Sequence, residues 1–203
     1  MLVALLAAAC APATSYLATP SSVTARGPWV HAASGMEFPE TAGGFQRDAI
    51  AHFSANLPDV AVNYRLIAPA GAIDATIYLM PEPPLPTVGL APDAVASMRK
   101  DACRREFATR LHEIVVVDHA RQLQQERIVA QISGKLHTGR LARFAYRGLL
   151  AGRRRELRSD LARFCFAGGR WSVEYRFSYP ADFPAAGWIA GFVAALRWTG
   201  ALA

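Results

Sequence analysis

The sequence predicts an α+β protein: an antiparallel sheet of about six to seven strands with a long central helix and a C-terminal helix packed on it. Three stretches carry this expectation. Val60, Val62, Tyr64 and Leu66 alternate with Ala61, Asn63 and Arg65, and Ile73, Ala75, Ile77 and Leu79 alternate with Asp74, Thr76 and Tyr78, on either side of Ala-Pro-Ala-Gly-Ala. Period two flanking a Pro/Gly turn is a β-hairpin with one covered face. From Pro92 to His119 the apolar residues recur at helical spacing. Trp171, Val173, Tyr175, Phe177 and Tyr179, alternating with Ser172, Glu174, Arg176 and Ser178, form the cleanest strand of the chain and belong inside the sheet.

Taken in order, the chain opens on an address rather than a structural element. Met1 to Ala9 is an apolar run followed by Cys10, too short to span a bilayer, which needs about 20 residues. It fits an export signal, residues 1–10. Leu-Leu-Ala-Ala-Ala-Cys also resembles a bacterial lipoprotein signal, in which Cys10 becomes the lipidated first residue; no Lys or Arg precedes the run, and plain cleavage near Ala9 or Ala13 stays open. Residues 11–34 hold Pro12, Pro20, Gly27 and Pro28 without a sustained period and are expected to be a flexible tether. Residues 35–203 are then one α+β domain. With 52% apolar and 19% charged residues in 203, the chain suffices for a single buried core.

Within the domain, Met36 to Pro39 reads as a short extended piece, Thr41 to Gly44 as a turn, and Phe45 to Phe53 as a strand that makes a meander with the hairpin. Pro81 to Ala91 is a Pro-rich crossover. Pro92 and Asp93 open the long helix, whose stripe is Val95, Met98, Ala102, Cys103, Phe107, Leu111, Ile114 and Val115. Strands are expected at 128–133, 141–148, 157–166 and 171–179, with a turn over Gly134 to Gly139 and a tight one at Gly168-Gly169. Asp182 caps a closing helix that runs to Gly200, with Trp188, Ile189, Phe192, Val193 and Leu196 on its stripe; packing on the sheet or contact with a membrane surface are both open for it.

This order of strands, long helix, further strands and final helix resembles the PsbP-like α/β/α sandwich found in exported accessory proteins and lipoproteins. Phe38-Pro39, Gly44-Phe45-Gln46-Arg47, Tyr64 and Ile77-Tyr78-Leu79-Met80-Pro81 are also similar to a pattern in uncharacterised exported bacterial proteins. The likeness covers about Gly35 to Gly200. It implies an envelope location and carries over no catalytic residue, since such folds host unrelated functions.

Chemistry-bearing motifs are sparse. Cys103 and Cys165 are an even pair once Cys10 is set aside, and are read as a disulfide or as two buried thiols. The five histidines show no metal-ligand spacing, no G-x-S-x-G surrounds a serine, and no H-E-x-x-H or phosphate-binding glycine loop is present, so neither metal nor cofactor is expected. The net charge of +6 rests on 20 arginines and two lysines, Lys100 and Lys135, a skew that reads first as genomic composition. Arg153, Arg154, Arg155 and Arg158 are the one dense charge cluster, placed in a turn before a strand, either a solvated loop or an anionic docking patch. Stacking aromatics are not interleaved with them, so nucleic acid is not an expected partner. Three functions follow: a non-enzymatic accessory or binding domain of the cell envelope, with an envelope protein or small ligand as partner; an enzyme with a motif-less site; or a basic membrane-surface module.

Overall fold

The central hairpin forms where its alternation places it. The structure, a computed structural model, describes residues 21–53, 58–86 and 88–202. Residues 1–20, which include the expected leader, Cys10 and the first part of the expected tether, lie outside the described residues.

The strands β1 (Ser21–Val23), β2 (Trp29–Val30), β3 (Glu37–Phe38), β4 (Thr41–Ala42), β5 (Phe45–His52), β6 (Val60–Ala68) and β7 (Gly71–Pro81) precede the long helix α1 (Pro92–Val117). After it come β8 (Arg121–Ile132), β9 (Lys135–Leu150), β10 (Arg153–Ala167), β11 (Trp171–Pro180) and the helix α2 (Ala186–Ala195). Nine strands form one sheet in the order β1-β5-β6-β7-β11-β10-β9-β8, with β4 paired to β5, and every pairing is antiparallel. The fold is therefore α+β and dominated by antiparallel sheet, with nine strands where six to seven were expected.

Two meanders make the sheet. β5-β6-β7 and β8-β9-β10-β11 are each sequential, and they join where β11 lies beside β7. The aromatic strand β11 is thus central, as its alternation requires. The extra strands are β1 and β4, three and two residues long, and β8 is longer than the expected 128–133. β8 begins at Arg121, directly after α1, and its first seven residues are exposed, so one polar stretch gives no hydrophobic signal. The turn expected over Gly134 to Gly139 is only Ser133-Gly134, and Gly139 lies within β9. It is glycine for a packing reason: a Cβ there would stand 2.8 Å from the Arg163 carbonyl oxygen and the Phe164 ring.

Residues 21–34, expected to be part of a tether, belong to the domain. Ser21, Ser22 and Val23 pair with His52, Ala51 and Ile50, and Trp29 pairs with Phe38. Arg47 holds the segment by its guanidinium, donating to the carbonyls of Phe38 (2.6 Å), Ala25 (3.0 Å) and Gly27 (2.7 Å). Pro and Gly punctuation resembles a linker, but long-range hydrogen bonds satisfy this backbone.

The two helices cover opposite faces, because neighbouring residues of a strand point opposite ways. Tyr175 packs in the core that includes Phe192 of α2, whereas Leu161, which pairs with Arg176, packs with Phe107, Leu111 and Ile114 of α1. The closing helix is shorter than expected. It starts at Ala186 without a side-chain cap and ends at Ala195, and Leu196 is extended. Asp182 is exposed and caps nothing, since Pro184 and Ala185 intervene. The chain after Ala195 instead drops Trp198 into the core, where its indole N–H donates to the Tyr175 hydroxyl at 2.8 Å. No described helix is long and apolar enough to cross a membrane.

Candidate functional site

The α1 face of the sheet combines an apolar patch with a chain of ion pairs. Phe107, Leu111 and Ile114 seat the middle of the helix on Ala142, Phe144 and Leu161. The stripe expected from Val95 to Val115 is buried at Ala102, Phe107, Leu111 and Ile114; Val95 and Met98 are half-buried, and Val115 is exposed. Beside the patch, Glu174 of β11 lies between two arginines, with Arg163 Nη1 at 3.3 Å and Arg110 Nε at 3.4 Å. Arg163 also faces Glu82 at 3.9 Å, and all three side chains of the Glu82-Arg163-Glu174 set are at least nine-tenths buried. Arg110 reaches Glu113 at 2.6 Å and lies over the Tyr78 ring.

Burial pushes the Glu82 carboxyl above the ordinary carboxylate range, and Arg163 only partly opposes it. Burial would lower Arg110, but Glu174 and Glu113 outweigh it and hold it protonated. The face continues in the same manner. Arg65 is bidentate on Asp74 (2.6 and 3.3 Å), and Arg176 pairs with Asp118 just past α1.

Two clefts open along the edge of α1 where this network ends, and Arg99 and Phe166 form the wall they share, with the guanidinium over the ring at 5.5 Å. The larger, about 490 Å³, lies under the Pro-rich crossover and is lined by Pro81, Glu82, Pro83, Pro84, Arg170 and Trp171 among others. Trp171 and Glu82 are buried there, and Trp171 Nε1 and Glu82 Oε1 have no hydrogen-bond partner. The smaller, about 210 Å³, is lined by Arg99, Lys100, Arg127, Thr138 and Arg140 and by a disulfide between Cys103 of α1 and Cys165 of β10. The two Cα atoms are 5.7 Å apart and both side chains are half-buried.

The residues singled out from sequence fare differently. Cys103 and Cys165 meet at one end of the groove, and Cys10 lies outside the described residues. Arg153, Arg154, Arg155 and Arg158 do not form the turn expected from the sequence; the turn is Ala151-Gly152, and the arginines are already in β10, hydrogen-bonded against β9. Alternation then puts Arg153 and Arg155 on one face and Arg154 and Arg158 on the other, so the run is not one patch. Trp188 of α2 is 42% exposed. Among the described residues no group of three or more metal-ligating side chains comes together.

Sequence reasoning missed Glu82, Glu174, Arg110 and Arg163. Glu174 alternates with aromatic residues and Arg110 lies off the apolar stripe of α1, so both read as solvated; Glu82 lies in a Pro-rich crossover without a period, and Arg163 shares a strand face with Leu157 and Leu161 that gives no sign of an ion-pair partner. The cations of the smaller cleft come from α1, β8 and β9, far apart in sequence. Comparison with protein-family models returns no match, and comparison with curated proteins returns none either.

Proposed function

We propose that the chain is an exported, non-enzymatic binding or accessory domain of the bacterial cell envelope, built on a PsbP-like sandwich and tethered by lipid at Cys10. The observation that carries this reading is the half-buried Cys103–Cys165 disulfide pinning α1 to β10 beside an open groove. Such a bond persists in an oxidising compartment and is rare in a reducing one. The apolar leader and the helices on opposite faces of an antiparallel sheet support the same reading. A binding role is favoured over catalysis because the buried carboxylates beside the groove, Glu82 and Glu174, both face Arg163, and Glu174 also pairs with Arg110 of α1, so both are engaged in ion pairs that hold the fold together.

The test is fractionation of cells producing the full chain, with thiols blocked before lysis and the mature protein weighed intact. The expected result is recovery in the envelope fraction, with Cys103 and Cys165 unreactive and a diacylglyceryl mass on an N-terminal Cys10. Recovery in the cytoplasm with both thiols blocked would overturn it.

A further inference from the structure

We infer that the smaller cleft, between the first half of α1 and the β8–β9 ladder, binds a phosphate group through Arg99, Lys100, Arg127 and Arg140. The inference deepens the binding role proposed above and rests on it.

Its ground is a contrast in charge pairing on one face of the sheet. Arg65, Arg110, Arg163 and Arg176 each have a carboxylate partner there. The four cations of the cleft have none among the described residues, and no carboxylate lines it. Arg99 lies over the Phe166 ring at 5.5 Å.

The register sharpens the point. Arg127 and Arg140 are direct cross-strand partners, an arrangement that like charges disfavour, and Arg140 also lies opposite Arg163 on its other side. Arg163 is neutralised by Glu82 and Glu174; Arg127 and Arg140 lack such neutralisation. An anion between them removes the repulsion.

The donor set selects the ligand chemistry. Guanidinium groups bind phosphate oxygens in pairs, an ammonium adds a point charge, and the Thr138 hydroxyl adds a neutral donor on the same edge. A phosphate presents up to two charges and three strong acceptor oxygens, whereas one carboxylate would leave most of these donors unused. The cleft is about 210 Å³ and open to solvent, so it takes the phosphate and leaves the rest of the ligand outside. A phosphomonoester in solution and a phospholipid headgroup share that chemistry.

The test uses the disulfide-intact full chain, titrated at constant ionic strength with inorganic phosphate, with glycerol phosphate, and with vesicles of phosphatidylglycerol or of phosphatidylcholine. Binding is read by calorimetry and by the amide resonances of Thr138 and Gly139. The expected result is saturable binding of at least one anionic probe, with those two amides shifting, and a loss of about 100-fold in the Arg127→Gln/Arg140→Gln double variant, roughly tenfold for each charge-assisted contact. The Arg153→Gln/Arg154→Gln variant carries the same change in net charge on exposed residues outside the cleft and is expected to bind as the parent does. Saturation by the soluble phosphates assigns a free phosphoester, and saturation by phosphatidylglycerol vesicles alone assigns a headgroup. Absence of saturation with every probe, or equal loss in the two double variants, would overturn the inference. An envelope location without phosphate binding removes the inference and leaves the proposed function; phosphate binding by a cytoplasmic chain does the reverse.

Discussion

Arg163 is the residue on which the α1 face turns. Removing it leaves Glu82 and Glu174 buried without their shared cation, and breaking a buried pair in this way costs about 3–5 kcal/mol. Arg163→Ala is therefore expected to lower the urea midpoint by that equivalent, whereas Arg104→Ala, whose partner Asp101 is exposed like itself, is expected to change it by less than about 1 kcal/mol. Glu82 sets a pH dependence. Its folded carboxyl holds a proton more tightly than the 4.5 of the unfolded group, so the folded state binds more protons and stability falls as pH rises from 4.5 through the raised folded value. Denaturation measured across that window is expected to show the fall in the parent and to lose it in Glu82→Gln. None of this was legible in the sequence, because a glutamate alternating with aromatic residues reads as the wet side of a strand. Only the helix laid over Glu174 makes that side an interior.

At the scale of elements, two fastenings carry the domain. The Cys103–Cys165 bond closes a loop of 62 residues between α1 and β10, worth roughly 4 kcal/mol in the chain-entropy account. The Cys103→Ser/Cys165→Ser variant should lose about that much by chemical denaturation. The second fastening is the C-terminal segment. Trp198 is buried, its backbone N–H donates to Ser133, and the Ala201 N–H donates to the Ser34 carbonyl at 2.7 Å, so residues 198–201 clasp the segment around Ser34. Trp198→Ala is expected to cost about 3–5 kcal/mol. Gly168 marks the close approach: its φ is +56°, and a Cβ would stand 1.4 Å from the Ala201 carbonyl oxygen. Gly168→Ala should destabilise by more than the roughly 1–2 kcal/mol of left-handed strain, because the backbone of the clasp must move. The sequence showed a glycine pair suited to a tight turn; that the first of the two also abuts Ala201 depends on contacts across the fold.

Over the whole molecule, residues 21–34 show where local reading fails. Their prolines and glycines resemble a tether, yet Arg47 and the edge of β5 dock them, and His31 and Ser34 are buried with a 2.8 Å hydrogen bond between them. An Arg47→Ala variant is expected to free this segment first, seen as proteolytic cutting between residues 21 and 35 while the remaining domain stays resistant. The nine-stranded sheet exceeds the expected count for a related reason. β1 and β4 are three and two residues long, so pairing with β5 defines them rather than any pattern of their own.

The sequence by itself determined the α+β class, the central hairpin, the long helix from Pro92 and the inner place of the aromatic strand. Each follows from a local period in hydrophobicity that solvent exclusion enforces wherever the segment lies. Tertiary structure alone decided which polar residues are interior, that Ala201 binds Ser34, and that Arg99, Lys100, Arg127 and Arg140 share one cleft. Those outcomes depend on strand register and on which face each helix covers, and both are set by contacts between segments distant along the chain.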